Sequence, residues 1–130
     1  MFLNVLDQDE KMKFMELVYK VANCDGEYAE EEAEIIKNYQ LELGINEIPN
    51  TASEQELIEY FATKSETIQK IVYFELYGLI SADNNISDDE VLMMEKFVSK
   101  FSLTTQQLNS IKLMVEKLQK VYDEIYDVIF

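Results

Sequence analysis

The chain has no arginine, no histidine and no tryptophan, and only one cysteine, one proline and three glycines. Each shortage removes a class of protein. Without Arg, all 11 basic residues are Lys, and they face 26 acids for a net charge of −15. A nucleic-acid binder needs a basic footprint, so DNA and RNA are not expected as partners. The same charge opposes an anionic membrane surface. Phosphate recognition by a bidentate fork is disfavoured, because Lys offers only a point charge. Without His, the commonest general base and metal ligand is missing, and Cys24 has no imidazole to activate it. A lone cysteine forms no internal disulfide, which suits a reducing cytoplasm. So few Gly and Pro leave little material for the turns of a β-sandwich. No apolar run approaches the ~18 residues of a membrane span, and direct membrane insertion is not expected. The opening MFLNVLDQDE has neither a basic region nor a long apolar run, so it does not read as a signal peptide.

What is plentiful is apolar periodicity. With 48% hydrophobic residues in 130, the chain reads as one all-α domain, residues 1–130, a compact bundle of six to seven helices. A first helix is expected after Asp7, with Glu10 as its capping-box partner and Phe14, Leu17, Val18 and Val21 on its apolar face. A second runs from about Glu30 to Leu43, ended by Gly44 in a left-handed cap. Ile45 to Asn50, with Pro49, reads as a linker. A short third helix is capped by Ser53 with Glu56. Thr63 and Glu66 repeat that spacing before a fourth helix. From Ile71 to Ala82 only Glu75, Gly78 and Ser81 are not apolar. The fourth helix is therefore expected at the centre, with Gly78 allowing another helix to come close. Glu75 reads either as a buried functional acid or as part of a narrow polar stripe with Gly78 and Ser81. A fifth helix spans Asp88 to Phe101, capped by Ser87 with Glu90. Thr104 and Gln107 open a long sixth helix.

Two segments repeat each other. Residues 18–45 align with residues 76–103 without a gap at an offset of 58, and the apolar pattern agrees at 24 of 28 columns. About half the columns would agree by chance at this composition, so we read an internal duplication of a helix–tight turn–helix unit. In each copy an Asp (Asp25, Asp83) is followed by Gly26 or Asn84. A polar residue follows (Glu27, Asn85), then an apolar one (Tyr28, Ile86), and then acids closing on Glu32 or Glu90. Gly and Asn tolerate the left-handed turn that ends a helix, and acids favour the first turn of the next one. That account needs no ligand. The alternative is a hard-cation site, Ca²⁺ or Mg²⁺, held by Asp25, Glu32, Asp83 and Glu90. It would not be an EF-hand. Position six of such a loop would be Glu30 or Asp88 rather than Gly, and position twelve Ile36 or Met94 rather than Glu.

A helix ending in Ala or Cys, then Asp-Gly/Asn-x-apolar-x-x-x-Glu, opening another helix and occurring twice, resembles the TerB-like (tellurite resistance protein B) superfamily. That superfamily includes the N-terminal domain of membrane-anchored DnaJ-like co-chaperones. The resemblance spans roughly residues 10–115. It implies a compact all-α bundle, a stress-associated role, and metal binding through the acids of the turn. Ala29 stands where a Ser or Thr cap is usual, and Asn84 replaces the second Gly.

Three readings of function follow. The first is a non-enzymatic TerB-like adaptor or binding protein with a protein partner. The second is a divalent-cation protein using the two acidic turns. The third is an acidic nucleic-acid mimic that occludes a basic partner. In the sixth helix, Leu108, Ile111, Val115, Leu118, Tyr122, Ile125 and Ile129 alternate by three and four, and Met114, Val121 and Val128 widen the stripe. Unbroken, the helix would be about 37 Å long at 1.5 Å per residue. Its end is expected to fold back on the bundle. The other possibility is that it protrudes and forms a homodimer through this C-terminal helix.

Overall fold

The computed structural model describes residues 1–24, 30–82 and 86–130. A 3₁₀ turn at Leu3–Val5 leads into six helices: α1 Gln8–Ala22, α2 Glu30–Leu43, α3 Glu54–Ala62, α4 Glu66–Ile80, α5 Asp88–Val98 and α6 Thr105–Ile129. No strand occurs among the described residues. The fold is all-helical, as the composition implies.

Local chemistry sets the helix starts. The side chains of Asp7, Ser87 and Thr104 each accept a hydrogen bond from the backbone N–H three residues on, and those of Glu10, Glu90 and Gln107 accept one from the cap's own N–H, closing three capping boxes. Ser53 caps α3 by accepting from the Glu56 backbone. For α4 the expectation fails. Its cap is Ser65, which accepts from Ile68 N, while Thr63 closes α3 and its hydroxyl donates to Tyr60 O. Ser65 wins because α3 runs through Ala62 and Thr63 remains in helical φ/ψ, whereas Ser65 is extended as a cap must be. Gly44 takes φ +70°, and Ile45 N donates to Gln40 O at 3.0 Å, the 6→1 bond of a Schellman ending.

The second helix pair keeps the offset of the repeat. α1 ends at Ala22 and α4 at Ile80; α2 begins at Glu30 and α5 at Asp88. α5 is shorter than expected. Its end tightens at Ser99, whose hydroxyl donates to Lys96 O, and Lys100 N and Phe101 N bond only three residues back. Phe101 is thereby turned into the core.

α1 shares the centre with α4. α1 packs on α2, α3, α4 and α5, while α4 packs on α1, α2, α3 and α6. Phe14, Leu17, Val18 and Val21 of α1 are wholly buried, as are Val72 and Leu79 of α4 and Phe61 and Phe97 beside them. Each such side chain contributes roughly 1.5–3 kcal/mol through its burial. One buried amide ties three segments together. Gln69 Nε2 donates to Phe61 O at the end of α3, and its Oε1 accepts from Ser102 N before α6. α6 lies against α4, tethered where Tyr77 donates to Glu116 Oε1 (3.0 Å) and Gln119 Nε2 donates to Ser81 Oγ (2.8 Å).

Candidate functional site

The acids of the two turns come first. Glu90 is the third residue of α5 and only 3% exposed. Its Oε1 accepts from Ser87 N at 3.1 Å in the capping box. Its Oε2 is buried and accepts no hydrogen bond among the described residues. Glu32, at the equivalent place on α2, is likewise buried. Asp25 and Asp83 lie outside the described residues. So of the four candidate ligands, two are placed, on helices that both pack against α1. Among the described residues no group of three or more acids or Cys is arranged to hold a metal ion.

Another acid is buried for a reason the sequence did not signal. Glu16 of α1 is 2% exposed. Its Oε1 accepts from both Thr51 N (2.8 Å) and Thr51 Oγ1 (3.1 Å), and its Oε2 is buried with no hydrogen bond among the described residues. Glu16 pins the segment after Pro49 across α1. Nothing in the α1 periodicity marks it, because a loop and not a helix covers it.

A further acid lies in a groove of about 640 Å³ between α2, α4 and α6. Ile35, Phe74, Val115 and Leu118 line its apolar part, and Glu42 and Asp123 also line it. Glu75 is buried there. Its Oε2 accepts from the Tyr39 hydroxyl at 2.8 Å, and its Oε1 accepts from the Met1 amino nitrogen at 2.8 Å and from Phe2 N at 3.3 Å. Burial, then the Glu75 charge, pushes the Tyr39 hydroxyl well above the ordinary tyrosine pKa. Both oxygens of Glu75 are thus engaged in holding α2 and the start of the chain onto α4. Gly78 lines the same groove, and a Cβ built on it meets no atom within 4 Å. The expected close approach of another helix is therefore corrected. Gly78 borders the groove between α2, α4 and α6 instead.

Cys24 is half-buried against the core and faces a small hollow shared with Glu54 and Asp89. Lys96 lines the same hollow and pairs with Glu54 at 3.3 Å.

The largest departure from expectation is in α6. The helix is continuous from Thr105 to Ile129 and does not fold back. Val115 is its only buried residue, and every residue from 121 to 130 is exposed. Tyr122 is 58%, Ile125 46%, Val128 85% and Ile129 66% exposed. No Gly or Pro follows Thr104, so the helix has nothing to break it. At about 37 Å against about 21 Å for α2, it outruns its support. Nor is any helix among the described residues long and apolar enough to cross a membrane.

Compared with known proteins, the chain matches no family model, no curated protein and no solved structure.

Proposed function

We propose that this chain is a non-enzymatic interaction module, TerB-like in kind, serving as a stress-associated adaptor in the cytoplasm. The observation that carries this reading is the exposed, apolar second half of α6. Large apolar side chains at helical spacing on a surface otherwise rich in charge mark a contact site for another protein. The twice-occurring turn motif supports the TerB-like part, and with it the stress association. Chemistry is poorly served. Glu75 has both oxygens engaged, and the chain has no imidazole. The test is capture by the immobilised full chain and by an Ile125→Ser/Ile129→Ser variant of unchanged helicity. Loss of the captured proteins in the variant is expected. Equal capture by both chains would sink this reading.

One observation favours a second reading, divalent-cation binding at the turns. Glu90 Oε2, on the first turn of α5, is buried with no hydrogen bond among the described residues. A hard cation would use such an oxygen. Titration calorimetry with Ca²⁺ and Mg²⁺ tests it. Binding at millimolar affinity or better that is lost in Glu90→Gln and Asp83→Asn is expected, and heat-free wild-type titrations would remove the idea. Glu90→Gln retains an acceptor for Ser87 N, so the cap survives.

A further inference from the structure

α6 carries a second apolar seam beside the one that packs on its own body. Ile111, Met114, Leu118, Val121, Ile125 and Val128 recur at intervals of three, four, three, four and three residues. This is the spacing of a helix-pairing stripe. Ile111 also packs against the core and Leu118 lines the groove, but none of the six is buried as Val115 is. Met114 is 50%, Val121 47%, Ile125 46% and Val128 85% exposed, and Ile111 and Leu118 are half-covered.

The seam is palindromic. Turned end for end about a point between Leu118 and Val121, Ile111 falls opposite Val128, Met114 opposite Ile125, and Leu118 opposite Val121. All six positions then meet an apolar partner. The residues flanking the seam give the direction. Lys117 and Glu124 lie on the same edge of it and are both exposed. In an antiparallel pair, Lys117 of each copy comes beside Glu124 of the other, two ion pairs related by symmetry. In a parallel pair that edge faces the opposite edge of the other helix, which carries Tyr122 and Ile129, so Lys117 and Glu124 meet no charge of opposite sign there.

The body supplies the rest of the surface. Phe2 and Phe74 form an apolar trough with Ile111, Met114 and Leu118 along one flank of the seam. Its extension past Val5 holds Lys70. Each body sits beside the first half of its own α6. Antiparallel pairing therefore lays the exposed second half of one copy alongside the trough of the other. Ile125, Val128 and Ile129 then gain cover, while the acids around them approach Lys70 and Lys117.

We infer that this protein forms a twofold symmetric dimer with another copy of itself, through antiparallel pairing of α6 along this seam. The inference rests on the reading of α6 as a contact surface and names its occupant. Such an interface is isologous, so one substitution acts twice.

Sedimentation equilibrium of the full chain tests it. A species of twice the 15.2 kDa chain mass is expected. Val121→Glu puts two acids at the centre of the pairing and is expected to weaken association by about a hundredfold. Lys117→Glu and Glu124→Lys should each weaken it by about tenfold, and the double exchange should restore it to within about threefold of wild type. Restoration excludes a parallel pair, in which positions 117 and 124 do not meet and their exchange cannot compensate. A monomer into the millimolar range overturns the inference, as does a dimer indifferent to Val121→Glu or a double exchange that does not recover. Such a failure leaves the broader reading standing, since that reading falls only if the α6 variant captures the same proteins as wild type.

Discussion

Gly78→Ala is expected to stabilise this protein, although the substitution falls in the middle of a central helix. Glycine in a helix interior is disfavoured relative to alanine by roughly 0.8–1.0 kcal/mol, because its unfolded chain has more freedom to lose. The gain is usually forfeited when a neighbouring helix presses on the missing side chain. Here a Cβ at position 78 meets nothing within 4 Å, and Gly78 has no positive φ to be strained. Nearly the whole propensity difference should therefore appear, about 1 kcal/mol, or a rise of roughly 3–5 °C in melting temperature for a chain of this size. The control is Gly44→Ala. That glycine also has open space, but it sits at φ +70°, where an L side chain costs roughly 1–2 kcal/mol. The two substitutions add the same methyl and should move the melting temperature in opposite directions, read by circular dichroism at 222 nm (the standard helical band). An unchanged or lower melting temperature for Gly78→Ala would refute the open groove, and would mean that α2 or α6 closes over α4 in solution.

Ser65→Ala should cost about 1 kcal/mol of unfolding free energy and Thr63→Ala clearly less, since only Ser65 caps α4; equal losses in urea melts would contradict that assignment. Tyr39→Phe should cost roughly 1–3 kcal/mol at neutral pH by withdrawing a donor from buried Glu75. It should also flatten the alkaline limb of the stability profile. A tyrosine whose pKa is raised by folding contributes its stability in full below the unfolded value near 10 and loses it as pH rises toward the folded value, so wild type should weaken above about pH 10 more steeply than the variant. Parallel limbs would show that Tyr39 is not buried as described. Truncation after Lys120 removes ten residues that are all exposed, and in dilute protein it should change the unfolding free energy by no more than about 0.5 kcal/mol. A cost of several times that would mean that the segment packs on its own bundle.

Much of the fold is legible in the sequence because its signals are local. A capping box needs only a Ser, Thr or Asp and an acid or amide three residues on, and Asp7, Ser87 and Thr104 all open helices as written. Gly44 marks the end of α2 because only the left-handed conformation closes that turn cheaply. The apolar face of α1 follows from the helical repeat alone. Even the 58-residue offset survives in the helix boundaries. Of the candidate acids, Glu90 is legible as the capping-box partner of Ser87, and its burial matches that of Glu32; Asp25 and Asp83 lie outside the described residues. Other features depend on what arrives from far along the chain. Whether Gly78 meets a helix or a hollow depends on how α2 and α6 splay across α4, which no window of sequence encodes. Glu16 is buried by Thr51, thirty-five residues away. Glu75 draws Tyr39 and the start of the chain from opposite sides, and its own helix shows only a polar gap in an apolar run. The apolar stripe of α6 is the plainest case. Its period determined that it would be a helix with one sticky side. What that side meets is decided by tertiary structure, because the bundle ends before the helix does and hydrophobic burial needs a surface within reach.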